Sequence, residues 1–245
     1  MFSILNKRSS THPNWCEDNY FLVETDKYAI GAVLDGCSTG VNSYFASTLI
    51  KYAFEKSCVV PTSFEINYLD YTNDLLGNVW CTVMQAKDIL GVGDLHLLST
   101  IVFFIYNKQR KKLFVKFAGD GTIVVNGVSY TNDEKNAPDY LAYHNNWADF
   151  EKWNKTRRTE QFVNVETFAI CTDGIDSFVN LKNPHISKQI AVGYLLQNDD
   201  FGKLSNQLNK KFNILTNRDE ELKKSDDLYW WDIKDDITII RYATL

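Results

Sequence analysis

No apolar run in this 245-residue chain approaches the ~20 residues that a bilayer-crossing helix needs. The opening stretch "MFSILNKRSSTHPNW" also lacks the long apolar segment and small-residue cleavage site of a secretion signal. A cytoplasmic protein with no membrane partner is expected. A basic surplus is missing too: 26 Lys and Arg stand against 31 Asp and Glu, for a net charge of −5, and the basic residues are scattered. That removes the electrostatic footprint of a nucleic-acid binder. The densest basic run, "KQRKK" at 108 to 112, sits between two apolar stretches and reads as a solvated hairpin turn. Cysteine is sparse and odd in number: Cys16, Cys37, Cys58, Cys81 and Cys171 are widely spaced and form no CxxC pair. This excludes a disulfide framework and a zinc site, and leaves reduced, mostly core cysteines. No cysteine is followed by arginine at the Cys-x5-Arg spacing of thiol phosphatases. Neither GxGxxG nor GxxxxGK[ST] occurs, so dinucleotide and Walker-type phosphate sites are not expected. With only four prolines and no Gly/Ser-rich linker, residues 1 to 245 read as one domain without internal repeats.

What is present is a chain that is 44% hydrophobic and 14% aromatic, enough to build a substantial core. "NYFLVETDKYAIGAVLDG" (19 to 36) reads as two strands around a "TDK" turn. Apolar residues at helical spacing predict a helix over 42 to 57 and another within 65 to 90, with Gly77 weakening the middle of the second. Residues 99 to 130 read as a meander of β-branched and aromatic strands, interrupted by the basic loop, by "GDG", and by Asn126-Gly127, a hairpin signal because both positions tolerate positive φ. Residues 131 to 160 are polar and aromatic-rich, and read as an irregular excursion or flap. Strand returns at "NVETFAICTDG", followed by helices near 186 to 197 and 201 to 215 and a last strand in "DDITIIRYATL". Hairpin-connected strands with separate helix pairs favour an antiparallel α+β layered fold over a parallel sheet.

Acids recur at strand ends: Glu17-Asp18 before "NYFLV", Asp35-Gly36 after "AIGAVL", Asp120 in "FAGDG", Asp173-Gly174 after "FAIC", and Asp235-Asp236 before "ITII". Singly, each is an ordinary turn. If the strand ends converge, the carboxylates repel one another unless cations neutralise them. Oxygen donors without an accompanying His/Cys cluster suit hard ions, Mg²⁺ or Mn²⁺.

The order of these pieces, "CEDNY", "GAVLDG", "LLSTIVFFI", "FAGDG", "AICTDG" and "KDDITII", resembles the metal-dependent protein phosphatase family, the type 2C serine/threonine phosphatases, over about residues 10 to 242. The compact spacing and the "NAPDYL" segment resemble its bacterial members. The resemblance implies a four-layer αββα sandwich, two central antiparallel sheets flanked by helix pairs, with two Mn²⁺ or Mg²⁺ ions at one end. It implies that Asp35 bridges the ions, that the Gly36 carbonyl holds one, and that Asp173 and Asp235 complete the other. It implies further that Glu17 and Asp18 bind metal or orient its waters, and that Asp120 with Asp173 supports a third ion found in some relatives. Asp236 stands where the family often has Asn and is not counted as a ligand. The implied activity is hydrolysis of phosphoserine or phosphothreonine in a protein partner by a hydroxide held between the metals, by a monomer. A pseudophosphatase or regulatory binding module of the same fold and a small-molecule phosphoesterase are the alternatives. Two positions depart from the family: Pro13 stands where many relatives have a phosphate-gripping Arg, leaving His12 as the candidate for substrate phosphate, and Cys37 replaces a histidine that follows the DG pair in animal-type relatives.

Overall fold

A computed structural model describes residues 1–9, 11–12, 14–63, 65–134, 138–180, 196 and 231–243. Two five-stranded antiparallel sheets form the centre. In chain order the strands are β1 (Phe2–Lys7), β2 (Asn19–Glu24), β3 (Tyr28–Gly36), β4 (Ser99–Asn107), β5 (Lys112–Ala118), β6 (Gly121–Val125), β7 (Val128–Asn132), β8 (Thr159–Phe162), β9 (Thr167–Cys171), β10 (Phe178–Asn180), β11 (Trp231–Ile233) and β12 (Ile237–Ala243). One sheet runs β2-β3-β4-β5-β8, the other β1-β12-β9-β6-β7, and β10 pairs with β11 in a small third ribbon.

The alternation of side chains along β3 shows why this stack forms. Tyr28, Ile30, Ala32 and Leu34 point to a core shared with the helices, whereas Ala29 and Val33 point between the sheets. Both faces of β3 are therefore buried, which accounts for its nearly unbroken apolar run. Between the sheets, Phe168 packs against Phe104, Tyr106 and Tyr242 with ring centroids 5.1, 5.2 and 5.6 Å apart. Burying each such side chain contributes roughly 1.5–3 kcal/mol. A separate apolar cluster with Leu5, Ile175, Ile233, Ile237 and Ile239 covers the outer face of the second sheet.

Helices α1 (Ser43–Ser57) and α2 (Tyr68–Leu90) lie where apolar spacing placed them. The Asn67 side chain caps α2 by accepting the Leu69 and Asp70 amides, and Gly91 ends it in a left-handed conformation. Gly77 in mid-helix is explained by packing, since a Cβ there would meet the Trp147 ring at 3.0 Å. The two helices expected near 186 to 197 and 201 to 215, which would form the fourth layer, lie outside the described residues except for buried, helical Leu196. No helix among the described residues is long and apolar enough to cross a membrane.

Three features differ from the sequence reading. The expected meander from 99 to 130 is split, because β5 belongs to one sheet and β6 to the other. The chain changes sheets at Gly119-Asp120-Gly121, where Gly119 has φ 104° and its Cα faces Thr100 too closely for a side chain. The N-terminal residues, not read as strand, form β1 along β12. Segment 131 to 160 contains helix α3 (Trp147–Thr156), whose Phe150 and Trp153 are buried. The three-residue spacing of Trp147, Phe150 and Trp153 puts the rings on one helical face, a pattern masked by the polar residues between them.

Candidate metal centre

Antiparallel pairing decides where the strand-end acids go. The start of β2 lies beside the end of β3, and the end of β3 beside the start of β4, with Asp35 opposite Thr100. The start of β4 lies beside the end of β5. In the other sheet the end of β9 lies beside the starts of β6 and β12, Cys171 being opposite both Thr122 and Ile239. All of these termini therefore fall at one end of the sandwich. There, one open cleft of about 500 Å³ is lined by Asp35, Asp120, Asp173 and Asp235, with Cys37, Thr100, Leu95, Tyr140 and Tyr143 among its other walls. No Lys, Arg or His lines it among the described residues.

Asp18 sits behind this cleft, 3% exposed. Its Oδ2 accepts the Thr172 hydroxyl at 2.6 Å, and its Oδ1 is buried without a hydrogen-bond donor. Asn6 fastens the same turn, donating from Nδ2 to the Asp18 carbonyl at 3.2 Å and to the Thr238 hydroxyl at 2.9 Å. The Gly36 amide donates to the Glu17 carbonyl at 3.2 Å, and a Cβ on Gly36 would fall 2.2 Å from the Ser43 carbonyl oxygen. That backbone approach requires glycine. Asp173 opens a short 3-10 helix, Asp173–Ser177, instead of a simple turn. The Asp235 carboxylate accepts the Asp236 amide at 2.8 Å, and the Asp235 amide donates to the Ser177 hydroxyl at 3.0 Å.

Electrostatically the cleft is an uncompensated array. Burial first, and then the charges of Asp18, Asp173 and Asp235, hold the Asp35 carboxyl well above the usual range. Asp18 is raised by burial, opposed by its Thr172 hydrogen bond. Asp173 is pushed up to about 6 by burial, then by Asp235 and Asp120. Burial also raises Asp235 and Asp120. Each effect penalises the ionised form and would be reversed by a cation.

The carboxylates share a cleft, yet among the described residues no three His, Cys, Asp or Glu side chains form a group that could hold an ion by themselves. Mg²⁺ does not need such a cage: it keeps several waters and is bound through one or two carboxylates. The donor set fits a hard divalent ion, because every titratable side chain near Asp35 is an oxygen donor apart from Cys37, and Asp18 presents a buried oxygen without a partner.

His12 lies apart from the cleft. It lines a smaller pocket of about 240 Å³ with Trp15, Glu17, Ser38 and Tyr44. Its Nδ1 pairs with Asp236 Oδ1 at 3.0 Å, and its Nε2 is 3.9 Å from Glu17 Oε2. Burial lowers its affinity for a proton, but Asp236 and then Glu17 and Asp235 outweigh this, so the net effect is upward. Pro13 lies outside the described residues. Cys37 faces the cleft: burial alone would push its thiol up, but Thr39, Tyr140 and the amides of Thr39 and Gly40 draw it below its ordinary value. Asp120 borders a second acidic pocket with Asp133, Asp173 and Asp176. Two contributors escaped the sequence reading. Thr172 looked like part of the Asp-Gly turn, although it continues the inward parity of Phe168 and Ile170. The aromatic wall of Tyr140 and Tyr143 gave no periodic signal.

No protein-family model and no curated protein matches the sequence. Solved structures do. RsbX, crystallised in complex with magnesium, superimposes with a TM-score of 0.55 at 17% identity, covering 98% of this chain and 92% of that one. The serine/threonine phosphatase Stp1 from Staphylococcus aureus gives 0.66 at 11% identity, over 100% and 94%. The catalytic domain of the serine/threonine protein phosphatase PstP, in complex with two manganese ions, gives 0.58 at 13% identity, over 98% and 96%. Two antiparallel sheets with an acidic cleft at their shared end, matched along almost the whole length of such structures, give this chain the fold of the bacterial PP2C-type serine/threonine phosphatases.

Proposed function

We propose that this protein is a divalent-metal-dependent phosphatase that hydrolyses phosphoserine or phosphothreonine in a protein substrate. The observation that carries the proposal is the gathering of Asp35, Asp120, Asp173 and Asp235 from separate strand ends into one cleft without a basic side chain among its described lining. Asp35, the Gly36 carbonyl, Asp173 and Asp235 would hold two Mn²⁺ or Mg²⁺ ions, and Asp120 with Asp173 a third. When bound, such ions supply Lewis acidity toward phosphoryl oxygens and make water acidic enough to act as a nucleophile near neutral pH.

The chain's own groups do the rest. Thr172 holds Asp18 in one orientation behind Asp35, and the Asp236 amide holds Asp235. Asp18, behind Asp35, would orient water at the cleft, whereas Glu17 lines the neighbouring His12 pocket. Among the described residues the cleft offers no protein cation to the phosphate, and Cys37 in place of histidine leaves protonation of the departing alkoxide to water. Within the segment expected as a flap, Pro138, Tyr140 and Tyr143 would serve that role, since they form a wall of the cleft that holds the acids.

The test is phosphate release from a phosphoserine protein and from an aryl phosphate, with Mn²⁺, with chelator, and in Asp35→Asn. Activity should need Mn²⁺ and fall by several powers of ten in the variant, the scale of several kcal/mol of lost transition-state stabilisation. Turnover indifferent to chelator and to Asp35 would refute the proposal. Hydrolysis of the aryl ester alone would select a small-molecule phosphoesterase, and bound Mn²⁺ without turnover a binding module.

A further inference from the structure

The N-terminal loop between β1 and β2 carries Glu17 and Asp18 past the start of β12, and the Asp236 side chain fastens it there alongside Asn6, which bridges the Asp18 carbonyl and Thr238, and Thr11, which donates to the Lys234 carbonyl. Asp236 is 1% exposed. Its Oδ1 accepts the Ser9 amide at 2.6 Å and pairs with His12 Nδ1 at 3.0 Å, while its Oδ2 accepts the Glu17 amide. Two backbone amides from one loop, those of Ser9 and Glu17, thus converge on one buried carboxylate, with the His12 ring in ion-pair contact beside them. Its own backbone is equally constrained: the Asp236 amide orients the Asp235 carboxylate, and its carbonyl oxygen lies so close to Gly174 that a Cβ there would sit 1.7 Å away.

We propose that Asp236 and His12 form a clamp that docks the Glu17–Asp18 turn onto the start of β12, making His12 a positioning residue for the carboxylate site and not a ligand of the substrate phosphate. The proposal rests on the reading of the cleft as a metal centre for its affinity consequence, but the clamp itself is independent of catalysis. Its chemistry requires a carboxylate. Asn at position 236 keeps one acceptor and turns an NH₂ group toward a backbone N–H, so at least one of the Ser9 and Glu17 amides loses its partner. His12 contributes a second, side-chain anchor on Oδ1, which asparagine can imitate because its Nδ2 occupies a position like that of the ring Nδ1. Ring size and charge are then dispensable, whereas a grip on phosphate would need them. Groups that orient a metal ligand from behind typically govern affinity by 10–100-fold.

The experiment compares wild type with Asp236→Asn, His12→Ala and His12→Asn by amide hydrogen exchange at Ser9 and Glu17 and by equilibrium Mn²⁺ binding. Asp236→Asn should speed exchange at one or both amides at least tenfold and weaken Mn²⁺ by about 10-fold or more. His12→Ala should weaken Mn²⁺ about threefold to tenfold, and His12→Asn should restore it. In turnover on an aryl phosphate at saturating Mn²⁺, His12→Ala should leave KM for substrate unchanged. Unaltered exchange at Ser9 and Glu17 in Asp236→Asn would overturn the clamp, whether or not the protein proves to be a phosphatase. A raised KM in His12→Ala with Mn²⁺ affinity intact would return His12 to the substrate phosphate. If Asp236→Asn fails to fold, the His12 pair of variants decides the question alone.

Discussion

Thr172 gives its hydroxyl hydrogen to Asp18 Oδ2 at 2.6 Å and accepts the Thr238 amide at 3.0 Å. Thr172 follows β9 in one sheet and Asp18 precedes β2 in the other, so this buried bond staples the two sheets at the end where the acids meet. Thr172→Val keeps the shape and removes the donor, leaving a buried carboxylate oxygen and the Thr238 amide unsatisfied. Such losses cost about 1–3 kcal/mol. Denaturant titration should show that loss for Thr172→Val and recovery of most of it in Thr172→Ser, which retains the hydroxyl.

The acidic array makes stability depend on pH in a direction opposite to that of most carboxylates. Asp173 is raised from the ordinary value of 3.8 to about 6, and Asp18, Asp35 and Asp235 are shifted the same way. A raised carboxyl holds its proton more tightly in the folded state, so its stabilising contribution is complete below about 4 and lost as pH rises through about 6 and beyond. His12, also raised, acts in the same sense. Chelator-treated protein should therefore be more stable at pH 5 than at pH 7, by a few kcal/mol at most. Mn²⁺ should restore stability at pH 7. Chemical denaturation at the two pH values, with and without Mn²⁺, measures both effects.

Lys116 offers a second titration with the other sign. It lies on β5, 2% exposed, with Nζ donating to Asn73 Oδ1 at 3.0 Å, and burial lowers it to about 8. Between about 8 and 10.5 the unfolded chain binds the extra proton, so this contribution raises stability as pH increases. Lys116→Met removes the buried charge, while Asn154 still donates to Asn73 Oδ1 at 3.2 Å. The variant should be more stable than wild type at pH 7 by on the order of 1–3 kcal/mol, and the difference should shrink by pH 10.

Gly174 tests how closely the site's backbone is packed. A Cβ there would fall 1.7 Å from the Asp236 carbonyl oxygen, which neither backbone can relieve without moving Asp173 or Asp235. Gly174→Ala should cost at least 3 kcal/mol. Gly93→Ala is the control, since Gly93 is exposed, has φ −84° and open space around it. That change should stay within about 1 kcal/mol of wild type, as read by thermal or denaturant melts.

How much of this was legible in the chain follows from the range of each signal. Helices α1 and α2 and the β2-β3 hairpin carry local periodicity and were readable. Asp35, Asp120, Asp173 and Asp235 were readable as a set because each borders an apolar run. Their convergence was not, since it depends on the registers of Asp35 opposite Thr100 and of Cys171 opposite both Thr122 and Ile239, pairings between residues distant in sequence. The sheet change at Gly119-Asp120-Gly121 was hidden for the same reason: a hairpin turn and a crossover use the same residues. Asp236 was set aside as a ligand, but its partners Ser9 and Glu17 lie more than 200 residues away, beyond any local pattern.

Equilibrium Mn²⁺ binding to the wild-type protein and to Asp35→Asn tests the central claim most directly. Two ions should bind wild type at neutral pH, and Asp35→Asn should lose at least one of them, with affinity for the other reduced about tenfold or more. Absence of stoichiometric binding in wild type, or identical binding in the two proteins, would contradict it.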